Sequence, residues 1–427
     1  MTQRNSPDRQ HSVLVAGLGY VGLPLAVRAA EVGFEVTGID VDEQRIKRLG
    51  ASESYIEDIS DDRLRPLVET GRLRARCDYS SVSRFDTCVI AVPTPLRNEV
   101  PDLQYVEDAG RSIAPMLRKG ATVVLESTTY PGTTEEVLQP ILESGSGLRG
   151  GEEFHLGYSP ERIDPGNPEW RLENTPKVVS GINHESLRAI SEFYRRIVTR
   201  VVTVSSPRTA ELTKLLENTF RQVNIALINE LALCSGTLGV DIWEAVDAAS
   251  TKPFGFMPFF PGPGVGGHCL PVDPAYLSWR VRQKLQHDIR FVSLAQEIND
   301  SMPGHVLRRI ESGLSRMGKS LSSAQILVIG LAYKKNTGDL RGSPAAIIAE
   351  LLAQHGAYVL AVEPHIDSQT LPVGVRCVDL TTAEVGAADA IAILTDHDNI
   401  DYGLVEQHGQ YVFDTRHRCQ GDRIEYL

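Results

Sequence analysis

A cysteine at the end of a glycine-rich run is the side chain of this sequence best suited to covalent chemistry. The run Gly262–Gly267 contains four glycines, His268 and Cys269 follow it, and Asp273 comes four residues after the cysteine. Glycine adopts positive φ readily and lets the backbone approach a ligand closely. A thiol presented there is a nucleophile if its surroundings lower its pKa from about 8.5. The alternative is a buried free cysteine beside a turn, which is a common place for this residue type.

A second pattern, near the N-terminus, is suited to binding a dinucleotide. Gly17, Gly19 and Gly22 form a G-x-G-x-x-G sequence that follows the apolar segment Ser12–Ala16 and precedes a helical pattern. Glycines so placed permit a tight turn and close approach of a pyrophosphate, although a glycine-rich turn without a cofactor is the alternative. Asp40 ends the next predicted strand, where a carboxylate binds a ribose and repels a 2′-phosphate, so NAD is predicted rather than NADP. The predicted cofactor-binding residues are Gly17, Gly19, Tyr20, Val21, Gly22, Asp40, Arg45, Pro93, Thr94 and Thr128.

Short apolar segments alternate with amphipathic segments up to about residue 205, and the alternation resumes near residue 322. This pattern predicts βαβ units on parallel sheets. The predicted fold class is α/β, with two Rossmann-like doubly wound domains joined by a central helical domain that contains one long helix. The predicted strands are Ser12–Ala16, Phe34–Asp40, Thr87–Val92, Thr122–Ser127, His155–Tyr158, Lys177–Ser180, Arg200–Val204, Gln325–Gly330, Tyr358–Val362, Ala390–Leu394 and Tyr411–Asp414, and the predicted helices include Asp102–Leu117, Thr134–Leu142, Glu185–Ile197 and Ala345–His355.

The long helix is predicted from Pro207 to about Leu238, where apolar residues recur at helical spacing and the only glycine is Gly236. Ser206 is suited to cap this helix and Pro207 to occupy its first position. About 30 residues make a helix roughly 45 Å long, which can join two domains and offer a dimer surface. The predicted organisation is a disordered tail (1–10), an NAD-binding Rossmann domain (11–205), a central helical domain with the cysteine loop (206–318) and a C-terminal Rossmann-like domain (319–427).

Composition narrows the classes of protein that remain. The chain has 427 residues and a formal net charge of -12, which argues against general nucleic-acid binding because phosphate backbones require basic patches. Its six cysteines are dispersed and form no Cys-x-x-Cys pair, so neither a metal site nor a disulfide framework is predicted. No apolar run reaches the roughly 18 residues of a membrane span, and the polar first ten residues are unlike a signal peptide. A cytoplasmic protein without a membrane partner is therefore predicted.

Five local patterns follow one another in a recognisable order. They are Ser127-Thr128 before Pro131-Gly132-Thr133, the segment Tyr158–Arg162, the segment Lys214–Asn218, the cysteine run with Asp273, and the segment Tyr333–Arg341. Together they resemble the nucleotide-sugar 6-dehydrogenases of the UDP-glucose/GDP-mannose dehydrogenase family, over residues from about 11 to 420. The resemblance implies an NAD-dependent UDP-sugar 6-dehydrogenase whose C-terminal domain binds the UDP-sugar. Such an oxidoreductase converts the 6-hydroxymethyl group of the sugar to a carboxylate, with two NAD reduced and one water consumed.

The resemblance also implies catalytic roles. Cys269 as a thiolate attacks the aldehyde from the first oxidation, and the resulting thiohemiacetal is oxidised to a thioester that water hydrolyses. Lys214 and Asn218, four residues apart on one helix face, stabilise the developing oxyanion. Asp273 acts with Lys214 on water and protons. Taken singly, the lysine would usually be a solvated charge and the asparagine a surface amide.

Further site residues are carried over from the same family patterns. Glu161 resembles the base for thioester hydrolysis and Thr128 positions water, although residues at strand ends are often caps. His268 is expected to have a backbone or structural role rather than to form a Cys–His pair. An ion pair with Asp339 is the alternative for Arg341. The implied substrate-binding residues are Glu161, Arg162, Lys214, Asn218, Phe259, Gly266, Lys334, Arg341 and Arg416.

Two segments bear on the identity of the sugar. The runs 161–168 and 252–264 resemble the UDP-N-acetylglucosamine 6-dehydrogenase branch, and an apolar wall in the second run could receive an acetyl methyl group. Packing of this loop without substrate contact is the alternative. UDP-N-acetylglucosamine is therefore the expected substrate, followed by UDP-N-acetylmannosamine and then UDP-glucose.

Other classes of protein and the oligomeric state also remain open. A catalytically silent nucleotide-sugar-binding protein would not need Cys269, and a single-step hydroxyacid dehydrogenase would need neither this cysteine nor the second Rossmann-like domain. The resemblance implies a homodimer formed through the central helix. The family's arginine that reaches across a dimer from the loop before the cysteine has no clear match in this sequence.

Overall fold

The computed structural model describes residues 11–56, 58–164, 167, 169–267, 270–366 and 371–427. These residues divide into two compact units. The first contains the described residues up to Glu217 together with Tyr276–Gln286, and the second contains Asn218–Ala275 and His287–Leu427. Within the described ranges, no helix is long and apolar enough to cross a membrane.

The first unit is built on a six-stranded parallel sheet with the strand order β3-β2-β1-β4-β7-β8. The order reverses beside β1, which is the arrangement of a doubly wound nucleotide-binding sheet. The strands of this unit are β1 (Ser12–Ala16), β2 (Glu35–Ile39), β3 (Leu73–Arg76), β4 (Thr87–Ile90), β5 (Leu96–Arg97), β6 (Val100–Pro101), β7 (Thr122–Leu125), β8 (His155–Tyr158), β9 (Lys177–Val179) and β10 (Val201–Thr203).

Helices cover both faces of this sheet, so its central strands are buried on both faces. Val13 and Val15 of β1 belong to one buried cluster, and Leu14 and Ala16 belong to the cluster on the opposite face. This division follows from the alternation of side chains along a strand. The helices of the unit are α1 (Gly22–Glu31), α2 (Glu43–Gly50), α3 (Asp61–Glu69), α4 (Gln104–Ile113), α5 (Gln139–Ser146) and α6 (His184–Ile197), with a 3-10 turn at Ala114–Met116 and a π-helical turn at Thr134–Leu138.

One helix, α7 (Pro207–Leu238), runs from the first unit into the second and matches its predicted bounds. Ser206 accepts a hydrogen bond from the Thr209 amide at 3.2 Å, as a cap should. Gly239, with φ of +69°, follows the last helical residue and supplies the left-handed conformation that commonly ends a helix. The other long helices are α8 (Ile242–Ser250), α9 (Asp273–Leu285) and α10 (Arg290–Arg316).

The second unit contains another six-stranded parallel sheet, and its order is β13-β12-β11-β14-β15-β16. The two sheets therefore share one topology, which confirms the predicted fold class. The elements here are β11 (Gln325–Ile329), α11 (Pro344–Gln354), β12 (Tyr358–Val362), β13 (Val375–Cys377), α12 (Thr382–Ala387), β14 (Ala390–Ile393), α13 (Tyr402–His408), β15 (Val412–Asp414) and β16 (Ile424–Tyr426), with a 3-10 turn at Leu321–Ser323.

The first loop of each sheet begins alike and then differs. Gly17 and Gly330 both have positive φ, and both donate to the neighbouring strand, at 2.8 Å and 3.0 Å. In the first sheet the next helix begins at Gly22, whereas in the second it begins only at Pro344. The second loop therefore lacks the short glycine turn that opens directly onto a helix N-terminus.

Several elements differ from the sequence-based expectation. The predicted strands Lys177–Ser180 and Arg200–Val204 exist as β9 and β10, but they form their own two-stranded sheet instead of extending the main one. The predicted helix Thr134–Leu142 begins as a π-helical turn and continues as α5 to Ser146. Helix α10 and strands β3, β13 and β16 were not predicted, because the short edge strands contain few apolar residues and helix α10 contains Pro303.

Candidate active site

The glycine-rich loop after β1 has the shape that a dinucleotide requires. Gly17 has φ of +92°, and a Cβ added at Gly22 would lie 1.8 Å from the Gly17 carbonyl oxygen. Only glycine fits at Gly22. A Cβ at Gly19 would meet no atom within 4 Å, so space is open beside the backbone where a pyrophosphate would approach. Tyr20 is partly exposed and Val21 directly precedes α1. These residues fit NAD.

Asp40, at the end of β2, is buried and supports this loop. Its Oδ2 accepts a hydrogen bond from the Leu18 amide at 2.9 Å and lies 3.2 Å from an Arg45 guanidinium nitrogen. Its Oδ1 accepts a hydrogen bond from the Asp42 amide at 3.0 Å. Arg45 is thus beside the predicted adenosine-binding carboxylate. The carboxylate retains acceptor capacity on Oδ1 for a ribose.

The strand ends that follow β4 and β7 meet at the same edge of the sheet. Ser127 donates to the Val92 carbonyl at 2.7 Å, next to Pro93, and Tyr276 donates to the Thr94 carbonyl at 2.8 Å. Thr128 is half-buried directly after Ser127. The structure therefore places the predicted Pro93, Thr94 and Thr128 beside one another in the first unit.

A buried carboxylate that sequence reasoning missed holds the loop after Thr128. Glu211 of α7 accepts hydrogen bonds from the Gly132 amide at 2.6 Å and from the amide and hydroxyl of Thr134 at 2.9 Å and 2.7 Å. Burial raises the pKa of Glu211, while these donors act in the opposite direction. The loop carrying Thr128 is therefore anchored to the helix that carries Lys214.

Glu161 lies after β8 in a buried ionic cluster. Its Oε1 accepts hydrogen bonds from the amides of Arg162 and Ile163, both at 2.6 Å, and its Oε2 lies 2.9 Å from the Lys177 ammonium. Burial would raise the pKa of Glu161, but the charge and hydrogen bond of Lys177 outweigh it and hold this pKa below its usual value. A carboxylate engaged in this way is a weak proton acceptor, which favours a positioning role over the predicted role as base.

The predicted Lys214 contacts Glu161 through the backbone rather than through the carboxylate. The Lys214 ammonium donates to the Glu161 carbonyl at 2.7 Å, and Lys214 is half-buried. The neighbouring Arg162 lies 2.8 Å from the Glu217 carboxylate and donates to the Pro176 carbonyl at 2.7 Å. The structure thus places Glu161, Arg162 and Lys214 close together in the first unit.

In the second unit, Asn218 and Asp273 form a direct pair. The Asn218 amide nitrogen donates to Asp273 Oδ2 at 2.5 Å, and Asp273 is 1 % exposed at the start of α9. The amide donor fixes the orientation of this buried carboxylate. Sequence reasoning placed both residues in the site but did not predict their contact.

The glycine run before the cysteine packs closely against the segment Tyr333–Pro344. A Cβ at Gly266 would lie 2.8 Å from the Gly342 carbonyl oxygen, and a Cβ at Gly267 would lie 2.9 Å from the Tyr333 ring. The Gly267 amide donates to the Arg341 carbonyl at 3.1 Å. These contacts explain why glycine is needed there. Cys269 and His268 lie outside the described residues.

Two buried amides hold the beginning of the same run. Asn229 of α7 accepts from the Gly262 amide at 3.0 Å and donates to Asn299 of α10 at 3.0 Å. Arg416 also lies at Gly262, where an added Cβ would be 3.2 Å from its guanidinium, and it donates to the Leu394 carbonyl at 2.8 Å. Burial lowers the pKa of Arg416, although the negative charges of the nearby Asp396 and Asp414 act in the opposite direction.

Three further predicted substrate residues, Arg341, Lys334 and Phe259, also lie in the second unit. Arg341 pairs with Asp339 at 2.6 Å, as the alternative interpretation expected, and Lys334 belongs to the same long loop. Phe259 packs edge-on against Phe220, with ring centroids 5.9 Å apart. The neighbouring Phe254, Phe256, Met257 and Phe260 are exposed.

The site predicted from the sequence did not include five residues described above or below: Glu126, Lys177, Glu211, Asn229 and Asn299. The signal that could have revealed Lys177 and Glu126 is a charge at the end of an otherwise apolar buried strand. Such a charge requires a partner, because an unpaired buried charge is costly.

Comparisons with known proteins show which family the chain belongs to. Models of the UDP-glucose/GDP-mannose dehydrogenase family match the chain in its NAD binding domain (residues 11–198), its central domain (208–301) and its UDP binding domain (327–421). A UDP-N-acetyl-D-mannosamine dehydrogenase of Pyrococcus horikoshii is 36 % identical over 90 % of this chain and 89 % of its own. A UDP-N-acetyl-D-glucosamine 6-dehydrogenase of Pseudomonas aeruginosa is also 36 % identical, over 90 % of each chain.

A solved structure extends the likeness to the three-dimensional fold. A UDP-D-ManNAc dehydrogenase from Pyrococcus horikoshii superposes with a TM-score of 0.88 at 33 % identity, and the match covers 97 % of this chain and 99 % of the other. The family matches together span most of the chain, and they confirm the predicted cofactor, NAD, and the predicted class of enzyme. The chain therefore belongs to the UDP-glucose/GDP-mannose dehydrogenase family and is an NAD-dependent nucleotide-sugar dehydrogenase.

Proposed function

We propose that this enzyme oxidises the 6-hydroxymethyl group of UDP-N-acetylglucosamine to a carboxylate in two successive two-electron steps. The observation that carries the proposal is the contact between the half-buried Asn218 and the buried Asp273, which lies four residues beyond the predicted nucleophile Cys269. A buried acceptor fixed by an amide suits a reaction in which a thiol, an alcohol and a water must each lose a proton. When bound, NAD accepts the hydride that each oxidation releases.

The residues of the chain carry out the covalent and proton-transfer steps. The Cys269 thiolate adds to the aldehyde carbon, a C–S bond forms, and the Lys214 ammonium and Asn218 amide stabilise the oxyanion. Oxidation of this thiohemiacetal leaves a thioester. Asp273 takes a proton from the attacking water, the C–S bond breaks, and the sulfur leaves as thiolate with the carboxylate as product. Thr128 positions water, and Glu161 holds Lys214 through its carbonyl oxygen.

The acetylated sugar is favoured by the sequence of the loop before the cysteine and by the relatives. Proteins named for UDP-N-acetylglucosamine and for UDP-N-acetylmannosamine are equally similar, at 36 % identity. The segment from Phe254 to Phe260 supplies apolar side chains for an acetyl group. UDP-N-acetylmannosamine is the second candidate, because it carries the same group with inverted attachment.

We expect kcat/KM to be highest for UDP-N-acetylglucosamine, lower for UDP-N-acetylmannosamine and lowest for UDP-glucose. Loss of the acetyl contact should cost about 1–3 kcal/mol, or roughly 10–200-fold in kcat/KM. The measurement is NADH production and acid formation with the three sugars under one condition, and two NADH per acid are expected. Highest activity on the mannosamine epimer would select the second candidate, and one NADH per sugar would rule out the two-step reaction.

A homodimer formed through α7 is supported by apolar side chains exposed on that helix. Leu227 and Leu231 are 51 % and 47 % exposed and lie one turn apart, so they share a face. Phe220, Phe256 and Met257 line an open groove with Leu227. Large exposed apolar patches of this kind mark protein interfaces.

Replacing Leu227 and Leu231 together with aspartate should therefore convert a dimer into a monomer. Two charges in an apolar interface lose their hydration without gaining partners, which opposes association. Light scattering after size-exclusion chromatography measures the mass. Val373→Asp, at an 87 % exposed site, is the control and should stay dimeric. A double variant that retains the wild-type dimer mass would exclude this helix face as the interface.

A further inference from the structure

Lys177 is a buried ammonium between two buried carboxylates. Its side chain is 3 % exposed and lies 3.0 Å from Glu126 and 2.9 Å from Glu161, whose side chains are 0 % and 10 % exposed. Burial disfavours the charged lysine, but both carboxylates outweigh burial and raise the pKa of Lys177. Such a cluster is stable only while its charges remain balanced.

The two carboxylates are not equivalent. Glu126 Oε1 receives both the Lys177 ammonium and the Tyr194 hydroxyl, whereas its buried Oε2 has no hydrogen-bond partner among the described residues. Burial raises the pKa of Glu126 above its usual value, whereas the pKa of Glu161 is lowered. Lys177 and Tyr194 thus share one oxygen of Glu126, whereas Glu161 uses both of its oxygens.

The ion pair connects to Lys214 through one short turn. Glu161 Oε1 binds the amides of Arg162 and Ile163, and this fixes the backbone that follows Glu161. The Glu161 carbonyl accepts the Lys214 ammonium at 2.7 Å. The position of the Lys214 amine thus depends on the Glu161 carboxylate. Its Oε1 binds the two amides, and its Oε2 is held by Lys177.

We propose that Lys177 is a positioning residue of the reaction: it holds the Glu161 carboxylate in place, and the Glu161 carbonyl then fixes the amine of Lys214. The catalytic consequence rests on the role proposed above for Lys214, whereas the positioning itself does not. Charged and titratable groups face Glu161 from each element packed against it. They are Lys177 on β9, Glu126 after β7, Tyr194 on α6, Lys214 on α7, and Arg162 with its partner Glu217.

Chemical labelling tests the positioning without any substrate. Reductive methylation of the folded holoenzyme, followed by peptide mass spectrometry, measures the reactivity of Lys214. In Lys177→Met the rate at Lys214 should rise at least about threefold, because its carbonyl partner is no longer held. Lys177→Arg should restore the slow rate. Lys119→Met removes an exposed lysine that pairs with Glu153 at 2.9 Å, and it should leave the rate unchanged.

The pH dependence of thermal stability separates an electrostatic role from packing. Without Lys177, burial favours the neutral form of Glu161, so its folded-state pKa rises above its unfolded value. A group with a raised folded-state pKa destabilises the fold at high pH and ceases to do so as the pH falls. The unfolded-state pKa of a glutamate is about 4.3, so the Tm deficit of Lys177→Met relative to wild type should be larger at pH 8 than at pH 4.5. The Lys119→Met control should show no such trend.

Turnover tests the catalytic consequence. We expect kcat of Lys177→Met to fall at least tenfold while KM for NAD stays within about twofold, and Lys177→Arg to recover most of the loss. An unchanged Lys214 labelling rate, or a Tm deficit equal at pH 4.5 and pH 8, would overturn the positioning proposal. If labelling and Tm respond as expected but wild type oxidises none of the UDP-sugars, the proposed function fails and the positioning by Lys177 stands.

Discussion

Cys269→Ser is expected to abolish net oxidation of the sugar nucleotide while NAD and the substrate still bind. A serine hydroxyl is far less ionised than a thiol near neutral pH and does not form the thioester. Loss of a covalent nucleophile commonly lowers kcat by several powers of ten, so a fall of at least about 10³-fold is expected. Acid production measured by chromatography, with binding measured by calorimetry, gives both quantities.

The control for this variant is Cys377→Ser. Cys377 is an exposed cysteine on β13, so its replacement should leave both binding and kcat unchanged. If Cys269→Ser produced acid within tenfold of the wild-type rate, the thiol would not carry the reaction and the covalent route would be wrong.

Gly22→Ala is expected to disrupt the cofactor loop and destabilise the first unit. Its Cβ would lie 1.8 Å from the Gly17 carbonyl oxygen, a contact that only a backbone shift can relieve. Overpacking of this kind typically costs about 1–3 kcal/mol in the free energy of unfolding. Thermal unfolding should show a lower Tm, and NAD affinity should fall because the loop and the N-terminus of α1 no longer meet in the same geometry.

The matched control lies within the same motif. A methyl group at Gly19 would meet no atom of the described residues within 4 Å, so Gly19→Ala should keep the wild-type Tm. It should nevertheless weaken NAD binding, because the methyl group would occupy the open space predicted for the pyrophosphate. Equal Tm values for Gly22→Ala and wild type would contradict the packing argument.

The fold could be predicted from sequence wherever buried strands contain continuous apolar residues. Ser12–Ala16, His155–Tyr158 and Tyr358–Val362 have the predicted bounds, because each is a short apolar run bordered by polar or turn residues. Edge strands escaped this reasoning. In β3 only Leu73 is buried, and arginines occupy alternate positions, so the local sequence resembles an exposed loop.

The site could be predicted where a residue type is tied to a chemical step and to a local motif. Lys214, Asn218 and Asp273 were predicted in this way, and the structure shows the contact between the last two. Lys177 and Glu211 could not be found, because their partners are distant in sequence and only the fold brings the charges together. Long-range polar pairing of this kind has no period and no short motif.

The unequal loops of the two parallel sheets have a consequence for timing. At the two switch points of the described sheets, the loops after β1 and β11 differ. The loop after β1 leads through a short glycine pattern directly into a helix, whereas the loop after β11 continues to Pro344 before a helix begins. The proposed reaction removes two hydrides, so its two oxidations must take turns at one dinucleotide loop. The half-oxidised sugar therefore has to outlast the interval between them. The rate at which free aldehyde is released therefore depends on the lifetime of its bond to the protein rather than on the affinity for the sugar.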